Sequence, residues 1–203
     1  MSLMVKLVFK CSSVSLAALL IVAGCGGSSP LGNPSTIVNP PVTGTQSLSF
    51  AYFQRCINPI FLAQLPSPTG SNTNTCAAAG CHAYATGAGG ALRIVPSAQV
   101  VDVTNPANTP TVIQATDMYK NFYSAQSEVI ISAPTQSLLE NKPLLRGVLH
   151  GGGLVFGSDT DPHILLMDYW INNPAPLGED EFSTATYNMF TPADPINGTC
   201  NTQ

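Results

Sequence analysis

Two thiols and an imidazole stand close together in Cys76-Ala-Ala-Ala-Gly-Cys81-His82. Each thiol can add across a vinyl group of a porphyrin, and a histidine directly after the second cysteine is then held beneath the iron as its proximal ligand. The familiar form of this haem-attachment motif has two residues between the cysteines. Here there are four, and the small Ala-Ala-Ala-Gly spacer only bulges the loop. Two other readings use the same atoms: a short disulfide, the default for a cysteine pair in an exported protein, or a Cys/Cys/His metal site without a clear fourth donor. The chain has only three histidines, so chance placement of a Cys-His pair is improbable.

The start of the chain points to export. Lys6 and Lys10 precede an apolar stretch from Val14 to Val22 that ends in Ala23-Gly24-Cys25, the basic, apolar and small-residue order of a secretory signal. Val22-Ala23-Gly24-Cys25 resembles the lipobox of bacterial lipoproteins, which implies removal of residues 1–24 and lipid on Cys25. Two or more acyl chains anchor a protein stably. Gly26 in the second mature position implies the outer membrane, at its periplasmic face or the cell surface. Residues 26–46 are uncharged and dominated by Gly, Ser, Pro, Asn and Thr, the composition of a tether. A folded body is expected over 47–203, large enough for a single core.

Composition excludes other classes. Only 9% of residues are charged, against roughly 25% in an average domain. With the signal removed, five basic residues face eleven acidic ones and the net charge is −6. That rules out a nucleic-acid binder held by a basic face. Beyond residue 25 no apolar run approaches the roughly 20 residues needed to cross a bilayer. There is no Ser/His/Asp ordering, no paired catalytic carboxylate motif and no phosphate-binding glycine loop, so an electron carrier is expected before an enzyme. Glu179-Asp180-Glu181 reads as a solvated acidic patch.

Two helices are predicted around the motif. Phe50, Phe53, Ile57 and Ile60/Phe61 recur at steps of three and four, one apolar helical face that Pro59 should break or restart. Downstream, Asp161 is an N-cap followed by Pro162 at the first helical position, and the helix stops before Pro174. Between them, 94–135 carries β-prone pieces at Ile94-Val95, Val100-Val103, Thr111-Ile113 and Val129-Ile131, expected as short strands or extended loops. Met118–Tyr123 should form one or two helical turns, and Pro134–Leu139 another short helix. Tyr119, Phe122 and Tyr123 are expected to wall a pocket or the core. Arg93, Lys142 and Arg146 are scarce cations, each either a partner for a haem propionate or a surface charge. Asn197-Gly198-Thr199 reads as a turn.

The string Phe53…Cys56-Ile57-Asn58-Pro59-Ile60-Phe61, Cys76…Gly80-Cys81-His82, Gly89-Gly90-Ala91-Leu92-Arg93, Ser137-Leu138-Leu139, His150-Gly151-Gly152-Gly153 and Tyr169-Trp170-Ile171 resembles the class I cytochrome c-like modules of bacterial exported proteins, over about 47 to 175. The resemblance implies a mainly α domain around one covalently held haem c, with the two terminal helices crossing at the haem edge and electron transfer to redox partner proteins as its role. The four-residue spacer and the insertion at 94–135 depart from the family pattern.

The resemblance also implies a distal iron ligand arriving just before the last helix. His150 is the first choice, because Gly151-Gly152-Gly153 lets the backbone approach a flat ring. His163, Met118, Met167 and Met189 are the alternatives, and methionine ligation would raise the potential relative to bis-histidine. With Cys76 and Cys81 assigned to haem, Cys56 and Cys200 remain. Their pairing would close a long loop that contributes on the order of 4 kcal/mol by chain entropy, whereas without haem the four thiols allow three connectivities. The functional expectation is a membrane-anchored monohaem cytochrome of the cell envelope. The alternatives are a haem-based sensor or peroxidase-like subunit, and a haem-free, disulfide-stapled surface lipoprotein.

Overall fold

A computed structural model describes residues 46–66 and 73–203; the signal segment, Cys25 and the tether lie outside the described residues. Among the described residues no helix is long and apolar enough to cross a membrane. Short helices α1 (Phe50–Tyr52), α2 (Asn58–Leu62), α3 (Pro110–Gln114), α4 (Asp117–Gln126), α5 (Leu138–Asn141) and α6 (Pro162–Asn172) alternate with loops. Two antiparallel ribbons complete the body: β1 (Leu65–Pro66) with β2 (Thr73–Asn74), and β3 (Phe190–Thr191) with β4 (Thr199–Cys200). The body is modestly helical, and no sheet closes.

Pro59 restarts the first helix rather than breaking it, standing in the first turn of α2. A π-helical turn over Phe53–Ile57 joins α1 to α2, and the Asn58 N–H reaches back to the Phe53 carbonyl. Proline lacks the N–H that would bond the Arg55 carbonyl and crowds that carbonyl. Widening the preceding turn accommodates both effects. The apolar face is buried as the spacing predicts, at Phe50, Phe53, Ile57, Ile60 and Phe61. It packs on α6, whose limits match the sequence signals: Asp161 caps it by accepting from the His163 N–H, and Asn173 ends it before Pro174. Phe53 and Trp170 meet at 5.5 Å, and the indole N–H of Trp170 donates to the Ser49 carbonyl at 2.9 Å. Aromatic contacts of this kind contribute about 0.5–1.5 kcal/mol beyond area burial.

The strands expected within 94–135 are absent. Ile94 makes an isolated parallel bridge to Ala83, and from there to Val103 the chain runs without a partner strand. Two helical amides take the place of that strand. Gln54 accepts from the Val101 N–H and donates to the Val101 carbonyl, both at 2.9 Å. Buried Asn121 accepts from the Val95 N–H at 2.7 Å and donates to the Val95 carbonyl at 3.1 Å. Buried backbone groups must be paired, and side chains meet that need here. Thr111–Ile113 is helical rather than extended, because Pro110 at the first turn presets it within α3. Val129–Ile130 run as irregular chain into a turn at Ile131, and the Ile130 N–H donates to the Ser137 hydroxyl. The helix at Met118–Tyr123 extends to Gln126, capped by the Thr116 side chain.

The carboxy-terminal tail is tied back covalently. Cys56 in the π-helical turn and Cys200 in β4 form a disulfide, the pairing expected above. Asn197 bonds both carboxylate oxygens of Asp194 in the turn before β4, as read from the sequence.

Candidate functional site

Residues 75–87 form a chain of tight turns hung on α2. The Thr75 hydroxyl and the Ala77 N–H both donate to the Phe61 carbonyl, at 2.6 and 3.1 Å. The His82 N–H closes the turn on the Cys76 carbonyl at 2.9 Å. Gly80 sits at φ +80°, a left-handed conformation that favours glycine and lets the four-residue spacer turn. On the far side, the Ile94 N–H donates to the His82 carbonyl at 2.8 Å, so His82 is fixed from both ends.

Its ring is fixed as well. The His82 Nδ1 lies 3.1 Å from the Leu92 carbonyl. A carbonyl only accepts, so Nδ1 carries the proton and Nε2 keeps its lone pair. Gly89 backs the ring so closely that a Cβ there would come within 2.7 Å of it. Burial is the main cause that holds the His82 imidazole below its usual pKa, which favours the neutral, ligating form.

His150 sits opposite, its ring anchored in a similar way. Its Nδ1 lies 2.8 Å from the Gly153 carbonyl, and the Gly153 N–H returns to the His150 carbonyl at 2.9 Å. Gly153 takes φ +73° to make this turn. The two imidazole rings are nearly parallel, 14° apart, with centroids 6.2 Å from each other. A single metal would be bridged at this spacing only with both Nε2 atoms turned toward it, at bonds of about 2.0 Å each. Among the described residues neither Nε2 has a hydrogen-bond partner. Anchoring the non-ligating nitrogen to a carbonyl is how proteins orient metal-binding histidines.

Both rings face a cleft walled by Phe61, Leu92, Leu139, Val155, Phe156 and Met167, with Cys76 on its lining and about 470 Å³ unfilled by protein counting the open mouth. Cys76 and Cys81 carry free thiols, so the alternative of a short disulfide is not what forms. Burial pushes the Cys76 thiol up to about 11. The Asn74 side-chain nitrogen donates to the Cys81 sulfur at 3.9 Å. Among the described residues no three His, Cys, Asp or Glu side chains converge into a metal cage, so the Cys/Cys/His alternative lacks its donor set. The cleft thus brings two oriented imidazoles and one thiol, that of Cys76, to a common apolar wall, while Cys81 lies off that lining.

The other ligand candidates are placed differently. Met167 lines the cleft but is buried among core side chains, and Met118 and Met189 are buried in the core away from it. His163 turns its Nδ1 to Asp161 at 2.9 Å and lays its ring on Phe156. Tyr119 and Phe122 pack on Phe50 in the core, while Tyr123 is exposed; none walls the cleft. Among the scarce cations, Lys142 lies at the cleft rim, 3.3 Å from Glu128, Arg93 donates to the Gly87 carbonyl, and Arg146 turns away to Glu140 and Asp159. Compared with protein-family models, curated proteins and solved structures, the chain matches none.

Proposed function

We propose that the chain is a monohaem c-type cytochrome that carries electrons in the cell envelope, tethered through lipid on Cys25. The observation that carries this reading is the pair His82 and His150, facing each other at 6.2 Å with both Nδ1 atoms bound to main-chain carbonyls. A bound haem supplies an iron that alternates between two oxidation states. The chain's own part is to hold and shield it. Cys76 and Cys81 provide the thiols for covalent attachment, His82 the proximal nitrogen and His150 the distal one. Phe61, Leu92, Phe156 and Met167 exclude water, and Lys142 at the rim supplies a cation for a propionate. The acidic body favours a redox partner with a basic docking face.

The reading is tested by exporting the protein in a host with cytochrome maturation. A red product with a pyridine haemochrome spectrum, and a mass equal to polypeptide, lipid and one haem, is expected. Colourless material under those conditions would refute it. A sensor or peroxidase-like role needs an open distal position, which would show as rapid carbon monoxide binding to the reduced protein.

A further inference from the structure

His150 stands on a loop that is poor at holding anything still. Gly147, Gly151, Gly152 and Gly153 follow one another over seven residues, and glycine loses more conformational freedom on ordering than any other residue. Main-chain and side-chain ties close the loop, and its first residues are already held, since the Leu144, Leu145 and Arg146 N–H groups donate to the Glu140, Lys142 and Asn141 carbonyls at 3.1, 3.0 and 2.8 Å. At its base the Val155 and Phe156 N–H groups donate to the Pro143 carbonyl, at 2.8 and 3.3 Å. Further out, the side-chain bonds that leave the segment 143–157, among the described residues, all belong to Arg146.

The Arg146 guanidinium joins three places. Its Nη1 donates to Glu140 Oε2 at 3.3 Å and reaches Asn141 Oδ1 at 3.5 Å; its Nε donates to Asp159 Oδ1 at 3.2 Å, and its Nη2 bonds the same oxygen. Glu140 is fully buried at the end of α5, directly after the cleft-lining Leu139, and its Oε1 has no partner that can donate to it. The Asp168 carboxyl, next to the cleft-lining Met167, lies within hydrogen-bonding reach. A proton shared between these two acids would relieve the repulsion of two adjacent carboxylates. A buried acid is costly unless something requires it. Here it gives one arginine an anchor inside the body, while Asp159 gives it a second just before α6.

We infer that Arg146, anchored on buried Glu140 and on Asp159, is a positioning residue that holds the glycine-rich loop so that His150 stays opposite His82. The inference rests on the reading of His150 as distal ligand, and its test separates the two. In the mature protein, backbone hydrogen exchange is followed for 147–155 and, as a control, for α6. In parallel the ferric spin state and the rate of carbon monoxide binding are measured on the haem-loaded protein. Loss of a charge-assisted hydrogen bond corresponds to about a 10- to 100-fold change. Arg146→Gln should therefore speed exchange at Gly153 and Val155 by at least about tenfold, leave α6 unchanged, and raise high-spin content and carbon monoxide binding together. Arg146→Lys should recover part of the effect. Asp159→Asn removes the exposed anchor, which keeps the question answerable if Arg146→Gln does not fold, and should give about a two- to fivefold change.

Exchange within twofold of the parent in both variants would overturn the inference. So would faster exchange with no change in spin state or carbon monoxide binding, because Arg146 would then anchor the loop without serving His150. A parent protein that takes up no haem would strike the functional reading itself, and would be seen before any variant is made.

Discussion

Replacing both Cys56 and Cys200 by serine should cost the fold about as much as one disulfide can contribute. The two residues are 144 apart in sequence, and chain entropy for a loop of that length gives about 5 kcal/mol at 25 °C. A domain's total stability is about 5–15 kcal/mol, so the variant sits near the threshold of unfolding at 37 °C. For a body of this size each kcal/mol shifts the thermal midpoint by about 2–4 °C, a fall of roughly 10–20 °C. The assay is urea unfolding of parent and double variant, both without haem and at matched pH. The variant should also show a larger denaturant slope, because its denatured chain is no longer cross-linked and exposes more surface. A midpoint and slope equal to the parent's would mean that the bridge does not form in solution, and the assignment of Cys76 and Cys81 as the remaining free pair would fall with it.

The same pairing leaves two thiols in the body of the haem-free protein, and alkylation at pH 8 should label Cys81 well before Cys76, whose burial pushes it up to about 11; equal rates by peptide mass mapping would contradict the placement of Cys76. Gly89→Ala places a methyl group about 2.7 Å from the His82 ring and the Cys81 carbonyl, so haem incorporation per mole of exported protein should fall severely while Gly147→Ala, on the open distal loop, affects it far less. His150→Ala should retain covalent haem but turn its spectrum high-spin, whereas Met167→Leu should leave the spectrum in place; the reverse result would make Met167 the ligand. Burial, with the neighbouring Asp168 carboxyl, holds Glu140 up to about 8 against an ordinary 4.5. The folded state therefore keeps a proton that the unfolded chain releases between those values, and stability should fall as pH rises through that window, by at most about 1.4 kcal/mol per unit. Glu140→Gln should flatten that slope in haem-free protein. His82, held low by burial, works in the opposite sense, its contribution being lost as pH falls through the ordinary histidine range.

Much of the scaffold was legible because its signals are local. Asp161, Pro162 and Pro174 bound α6 with no tertiary information, and the spacing of Phe50, Phe53 and Ile57 names the buried face of the first helix. Over 94–103 the extended-loop alternative forms rather than the strand, for a physical reason: Val100, Val101 and Val103 carry β propensity, but propensity says nothing about who supplies the opposite ladder. Gln54 and Asn121 supply it from helices, 47 and 26 residues away. The ribbons at 65–66 with 73–74 and 190–191 with 199–200 are two residues deep, too short for any alternation to register. At the site, Cys76, His82 and His150 stand out by residue type. Their orienting partners do not, since the Leu92 and Gly153 carbonyls are main-chain atoms that every residue possesses. Glu140 reads as part of the polar run Glu140-Asn141-Lys142, and only the packing of α5 reveals it as buried.

The two imidazoles are held by unlike means, and that difference orders their behaviour. His82 is gripped by its main-chain bonds to Cys76 and Ile94, a bridge through Ala83 and Ile94, and the backbone of Gly89 pressed against its ring. Moving it requires breaking several buried hydrogen bonds at once. His150 rests on glycines, beside a Leu149 that is 95% exposed, and a Cβ added at Gly152 would lie 3.0 Å from its ring. Local opening free energy follows the number of buried contacts that must be surrendered. With haem bound as proposed, an exogenous ligand should therefore enter by displacing His150 and never His82, at a rate set by opening of the 143–157 loop and independent of ligand concentration once the ligand is in excess.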